Sequence, residues 1–286
     1  MEEKNKINGG TLYLVGTPIG NLSDLSDRAK KVLCEVDFVA AEDTRNSARL
    51  MSVIGARKEL VSYHEHNKKS SGERIVERLL SGESCALVTD AGMPAISDPG
   101  EDVVRLCADA GVTVTAIPGP CAAVTALALS GLCTSRFAFE GFLSANRSER
   151  VKRLESLKRE ERTMIFYEAP HKLQKTLDDM ALCFGEDRRI SLCRELTKLN
   201  EEIVRTTIGS AIRLYSEREP RGEFVLIVEG SDDIQTEVSD ELLTLSAEEH
   251  VRVYEEQGLG RMDAIKKAAK DRGMSKSELY KILNLK

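Results

Sequence analysis

Tryptophan is absent, and aromatic residues make up only 5% of the 286-residue chain. A surface that grips nucleic acid by stacking many bases needs many rings, so that binding mode is excluded. The formal net charge of −6 excludes a uniformly basic nucleic-acid coat; any contact with RNA must come from local patches. No apolar run approaches the roughly 20 residues of a membrane-spanning helix. The opening MEEKNKINGG is polar and lacks the apolar stretch of a secretory signal, so a cytoplasmic protein is expected. The seven cysteines (Cys34, Cys85, Cys107, Cys121, Cys133, Cys183 and Cys193) are odd in number, and no two have C-x-x-C spacing. They read as reduced thiols in a reducing compartment. His64-Glu65-His66 would put two imidazoles on one face of a strand, but no third ligand lies nearby, so no metal is expected and the segment reads as a polar loop.

Two nucleotide signatures are also missing. Gly16 and Gly20 do not make a G-x-G-x-x-G fingerprint, and no G-x-x-x-x-G-K-[ST] occurs. The glycine-rich acidic motif of the common Rossmann methyltransferases is absent as well.

What the chain does have is 41% hydrophobic and 31% charged residues, an ordinary globular balance at a length that suits two domains. Short β-branched runs alternate with amphipathic stretches over the first 130 residues. Strands are expected at 11–15, 38–41, 60–62, 85–89 and 112–117, with Leu25, Ala29, Val32 and Leu33 sharing one helical face between the first two. That alternation predicts a mostly parallel sheet. After Ser130–Arg136 the strands (137–142, 163–167, 189–194, 202–207 and 223–228) follow one another more closely, which predicts a mixed α+β sheet. Beyond Ser231 only helical patterns remain. The expected organisation is α/β: a disordered lead-in over 1–10, an N-terminal α/β domain over 11–130, a C-terminal α+β domain over 131–230 and a helical, helix-turn-helix-like tail over 231–286.

Three Gly/Pro-rich segments follow expected strands: Gly16-Thr17-Pro18-Ile19-Gly20-Asn21, the stretch Thr89 to Gly100, and Pro118-Gly119-Pro120-Cys121-Ala122-Ala123. Glycine permits close backbone approach and proline stiffens a loop. Ligands collect at strand ends in open α/β sheets. One such loop is ordinary turn chemistry; three at one end of a sheet predict a cleft.

Segments in unbroken order from about residue 10 to 230 carry a resemblance: GTLYLVGTPIGNLSDLSDRA, AAEDTRNSARL, LVTDAGMPAISDPG, VTAIPGPCA, FYEAPHKL, RELTK and GEFVLIVEG. They are similar to the tetrapyrrole methylases, in particular to the group that methylates a cytidine ribose 2′-oxygen in small-subunit ribosomal RNA. The resemblance implies the two-domain tetrapyrrole-methylase fold, S-adenosylmethionine as cofactor, ribosomal RNA of the small subunit as partner, and a homodimer. It places cofactor contacts on Pro18, Asp90, Ala91, Gly92, Ile96, Cys121 and Ala122, with Tyr167 and Glu168 in the second domain's wall. Met93 departs from the group, which often has threonine there.

A ribose hydroxyl is a weak nucleophile, so methyl transfer to it asks for a base or an oriented acceptor. Asp98, Glu42 and Asp43 are the candidate carboxylates, and Arg45 is a candidate for gripping a phosphate or a base. Each has a structural alternative: Asp98 and Asp43 precede expected helices as caps, and Arg45 can be a surface ion pair. Glu195 and Lys198 are second-domain candidates for substrate RNA. So are Arg147 and Arg150, from a stretch (147–162) with seven Lys/Arg against four Asp/Glu. In the tail, eight Lys/Arg against three Asp/Glu over 261–286 follow an acidic stretch. Met262, Ile265, Ala269, Leu279, Ile282 and Leu283 are its expected core. This module reads either as an RNA clamp or as a support for dimerisation. Two other functions fit less of the sequence: a small-molecule methylase of precorrin type, which has no use for a basic tail, and a non-catalytic RNA-binding protein, which has none for a cofactor cleft.

Overall fold

The computed structural model describes residues 6–231, 242 and 244–284. The chain divides into two compact units, 1–230 and 231–286.

Five short apolar runs in the larger unit form β1 (Thr11–Val15), β2 (Phe38–Ala41), β3 (Glu59–Ser62), β4 (Cys85–Val88) and β5 (Thr113–Ile117). They pair in the order β3-β2-β4-β1-β5, all parallel. Parallel strands need crossover helices, which cover both faces. Alternate residues therefore enter different cores. Tyr13, Val15, Val39 and Val88 pack with Ala29, Val32 and Leu33 of α1 (Asp27–Glu35) and Met51 of α2 (Thr44–Val53). Leu12, Phe38, Ala40 and Leu87 pack with Ile75 and Leu79 of α3 (Lys68–Leu80) and Val103 and Cys107 of α4 (Gly100–Asp109). Each large aliphatic side chain buried this way contributes about 1.5–3 kcal/mol.

The second sheet holds β6 (Phe137–Phe142), β7 (Thr163–Glu168), β8 (Arg189–Arg194), β9 (Glu202–Thr207) and β10 (Phe224–Val228) in the order β6-β7-β10-β8-β9. Only β6 and β7 are parallel, so the sheet is mixed. One face packs on α6 (Arg147–Ser156), α7 (Pro170–Phe184) and α8 (Ile208–Glu217). The other receives Ala123, Ala126 and Leu127 of α5 (Ala122–Ser130), the helix that leaves β5 of the first sheet. Apolar on all sides, α5 ties the carboxyl ends of the first sheet to the second. That join positions the cleft described below.

Residues 6–10, expected as part of a disordered lead-in, are instead tied down: the Asn8 amide donates to the Tyr13 hydroxyl at 2.8 Å and the Gly10 amide to the Glu83 carbonyl at 2.8 Å. Residues 1–5 lie outside the described residues. All seven cysteines are free thiols. Among the described residues no helix is long and apolar enough to cross a membrane.

The described residues of the smaller unit form the helices α9 (Ala247–Glu256), α10 (Arg261–Asp271) and α11 (Lys276–Asn284). Ser246 and Glu249 form a reciprocal capping box at the start of α9. Val251 and Tyr254 of α9 join Ala264, Ile265, Ala268, Ala269 and Leu279 in the core. This corrects the expected core at two positions: Met262 and Ile282 are about half exposed. With α9 supplying an aromatic and a valine, the packed face of α10 centres on Ala264, Ala268 and Ala269 beside Ile265 and that of α11 on Leu279, and those two side chains turn outward.

Candidate active site

The three Gly/Pro-rich segments meet at the carboxyl end of the first sheet. Thr17 and Gly92 form a two-rung antiparallel bridge, N to O at 2.9 Å and 3.2 Å, and the Thr17 hydroxyl donates to the Thr89 carbonyl at 3.2 Å. Gly16 and Gly119 lie back to back: a Cβ on Gly16 would stand 2.7 Å from the Gly119 Cα, closer than real side chains approach. Only glycine lets these two loops close. A fourth loop, after β8, approaches the first where Gly20 faces the side chains of Thr197 and Lys198.

Among the described residues four non-glycines have left-handed backbone, Ala95, Ser97, Glu195 and Thr197, and all four sit in the two longer loops. Such conformations cost of order 1 kcal/mol or more each and persist only where surroundings enforce them. In the first loop the enforcer is Asp98, whose Oδ1 accepts from the Ala95 amide at 2.9 Å and the Gly100 amide at 2.7 Å. In the second it is Glu195, whose Oε1 accepts from the Glu223 amide and from Lys198 Nζ, both at 2.9 Å. Burial pushes the Glu195 carboxyl up, but Lys198 and that amide hold it below the usual carboxylate range. Burial pushes Lys198 down in turn, and its two carboxylate partners, Glu195 and Glu223, raise it.

The loops enclose a cavity of about 590 Å³, in the range of small-molecule sites. Its walls include Asp90, Ala91, Gly92, Ile96, Cys121, Ala122, Tyr167 and Glu168, eight of the nine residues expected to contact a cofactor. Pro18 does not line it; its neighbour Ile19 does. Of the candidate carboxylates, Glu42 and Asp98 face the cavity. Glu42 accepts from the Thr89 hydroxyl at 3.0 Å, and Asp90 from the Asn46 amide at 3.0 Å. Asp98 is bifunctional in geometry: Oδ1 fixes the loop, while Oδ2 is buried and has no hydrogen-bond partner. Glu168 is buried and turned inward, accepting from the Ala169 amide, the Thr176 hydroxyl and Lys172. Ser97, His171, Cys193, Leu196, Glu223 and Phe142 also line the cavity and were not singled out from the sequence.

Asp43 and Arg45 lie outside the cavity. Asp43 caps α2 through the Arg45 amide at 2.8 Å and grips the Arg45 guanidinium with both carboxylate oxygens. That grip holds the Asp43 carboxyl down to about 2. Arg45 itself is exposed. Arg147 is exposed too and reaches Asp179 at 3.0 Å. Arg150 corrects an expectation. Its side chain is 4% exposed, pairs with Asp179 at 2.7 Å and donates to the Ser144 and Ala145 carbonyls, so it has no face left for RNA.

The lining has one electrostatic character. Among the described residues that form it, five carry carboxylates and none is lysine or arginine. Such a cavity favours a cationic ligand and disfavours phosphate. Among the described residues no group of three or more His, Cys, Asp or Glu could hold a metal ion.

Comparison with known proteins gives the geometry a context. The profile of the tetrapyrrole (corrin/porphyrin) methylases matches residues 11–212. Similar proteins include "Ribosomal RNA small subunit methyltransferase I" of Bacillus subtilis (strain 168), 48% identical over 100% of this chain and 98% of that one. The protein of the same name from Escherichia coli O157:H7 is 42% identical over 95% of this chain and 94% of that one. Among solved structures, the uroporphyrin-III-C-methyltransferase from Thermus thermophilus superposes with a TM-score of 0.55 at 20% identity, covering 76% of this chain and 94% of that one, a likeness of fold.

Proposed function

Because the chain belongs to the tetrapyrrole (corrin/porphyrin) methylases, we propose that its cleft serves S-adenosylmethionine-dependent methylation of the 2′-oxygen of a cytidine ribose in small-subunit ribosomal RNA. Relatives matched over nearly their full length and named small-subunit ribosomal RNA methyltransferases support the enzyme class and the substrate class. The observation that carries the reading on this chain is the cavity itself: carboxylate-lined, without lysine or arginine among its described lining, and closed by backbone-tight loops. S-adenosylmethionine, a cation at both its sulfonium and its ammonium, supplies the electrophilic methyl group.

The residues then divide the work. Asp90, Ala91, Gly92, Ile96, Cys121, Ala122 and Tyr167 wall the donor, with Ile19 in the lining instead of its neighbour Pro18 and Glu168 bracing β7 against α7. Asp98 is the proposed base: with Oδ1 committed to two amides, the unpartnered Oδ2 is free to accept the ribose hydroxyl proton. Glu42 and Asp43 are proposed as supports, since one accepts from Thr89 and the other holds Arg45. Holding a nucleophile and a donor in line is worth on the order of 7–11 kcal/mol, so rigid loops are part of the chemistry. Arg45, Lys198 and Arg147 are the proposed phosphate contacts outside the cavity, with Glu195 orienting Lys198. The proposal extends to a cytoplasmic homodimer, which a monomer mass in sedimentation equilibrium would overturn.

The decisive experiment is mass spectrometry of small-subunit RNA from cells lacking the protein, paired with labelled methyl transfer by the purified protein. Loss of one cytidine 2′-O-methyl group, restored in vitro, is expected. An unchanged methylation pattern, or transfer to precorrin-type substrates instead, would sink the reading.

A further inference from the structure

The mouth of the cavity carries a ring whose position the backbone goes out of its way to create. β6 runs beside β7 with Phe139 opposite Ile165, but Gly141 stands opposite Phe166 and Phe142 opposite Tyr167, leaving Glu140 as an extra residue in a bulge. Side chains alternate along a regular strand, so Phe139 and Phe142, three apart, should point to opposite faces. The bulge cancels one step and puts both on the face that carries Tyr167. Ring geometry agrees: Phe139 and Phe142 lie 5.1 Å and 5.4 Å from Tyr167, centroid to centroid. Gly141 adopts left-handed backbone in the bulge, and a Cβ there would sit 3.4 Å from the hydroxyl oxygen of Ser97, the residue before Asp98. The bulge and the Asp98 loop are therefore packed together.

Phe142 is 58% exposed and lines the cavity, whereas Phe224, in the same lining, is buried. The Lys172 ammonium lies 5.7 Å from the Phe142 ring centroid. Among the described residues of the lining, Phe142 thus presents the one exposed phenylalanine or tyrosine ring, in the cavity that Asp98 also lines, with the Lys172 ammonium over it.

We propose that Phe142 is the stacking platform for the nucleobase of the methylated nucleotide. This deepens the RNA-methylation reading and rests on it. A ribose hydroxyl can reach a buried carboxylate only if its nucleotide is drawn out of its neighbours' stack, and RNA-recognising proteins hold unstacked bases on aromatic faces. One platform suits an enzyme that treats one nucleotide at a time, and it fits a chain too poor in aromatics for extended stacking.

The test compares Phe142→Leu, Phe142→Ala and Phe142→Trp. Methyl transfer to intact small ribosomal subunits lacking the modification is followed under single-turnover conditions, and S-adenosylmethionine binding without RNA is measured by calorimetry. Removing a stacking ring should lower kcat/KM for subunits by roughly 10- to 100-fold in the Leu and Ala variants. The Trp variant should stay near wild type, and donor affinity should be unchanged in all three, which also reports that each variant is folded. Wild-type activity in Phe142→Leu overturns the platform, and so does a loss that tracks weakened donor binding, because the ring would then wall the donor. A wild-type protein that binds donor but methylates no subunit overturns the underlying RNA reading instead.

Discussion

Asp98 carries two tasks on two oxygens, and a substitution can separate them. Asp98→Asn keeps a side-chain carbonyl oxygen for the Ala95 and Gly100 amides but loses the carboxylate that would take a proton. Donor affinity should stay close to wild type while the methyl-transfer rate falls roughly 100- to 10,000-fold. Asp98→Ala should lower both, because the loop with left-handed Ala95 and Ser97 loses its lock. Near-normal turnover in the amide variant would remove Asp98 from the chemistry. The two arginines of α6 make a contrasting pair. Arg150→Ala takes the buried partner from Asp179 Oδ2, leaving the exposed Arg147 on Oδ1, and should destabilise the fold by up to about 3–5 kcal/mol in chemical denaturation. Arg147→Ala, on the exposed side of the same aspartate, should cost under about 1 kcal/mol. Equal losses would show that burial does not decide the matter here.

At the level of elements, the tail offers a pH-dependent one. His250 of α9 is fully buried, accepts from Arg272 at its Nδ1 at 3.1 Å, and has Nε2 3.2 Å from Asp271, which also takes the Tyr254 hydroxyl. Lys267 adds a further cation over the Tyr254 ring. Burial and Arg272 push the imidazole below its ordinary range, against the pull of Asp271. The folded state thus binds the proton less well than the unfolded chain. The contribution is complete above the unfolded value near 6.5 and is lost as pH falls through it towards the lower folded value. Amide protection in α9 and α10, corrected for intrinsic exchange, should decline over that window, and His250→Phe should flatten the decline.

The elements also show where reading the sequence succeeds. The ten strands of the described residues are visible as short runs, β-branched in all but the phenylalanine-rich β6, and their spacing separates a parallel sheet from a mixed one. Asp43 as a helix cap follows from local chemistry alone. Phe142 could not be found that way, because a bulge breaks the period of two on which strand reading depends. Nor could the exposure of Met262 and Ile282 be read, since it is set by a third helix packing on the pair. The cleft was legible where its walls were glycine and proline. The free oxygen of Asp98 was not, because it depends on which amides the loop presents to the carboxylate.

At the scale of the whole molecule, every described residue that lines the cavity lies between Ile19 and Val225, within the larger unit. A chain cut after residue 230 should bind S-adenosylmethionine with affinity within about twofold of the full chain, an energy difference below RT. If donor binding disappears, the cleft needs the helical tail. If donor binding survives while subunit methylation falls, the tail serves the RNA; if both survive, its basic surface is not used in that step.

The bridge between Thr17 and Gly92 has a kinetic corollary. Two loops stitched to each other cannot swing apart singly to admit a guest, so the entrance is already open and already shaped. Observed association rates for the methyl donor should then climb in simple proportion to its concentration, with no plateau from a gating step.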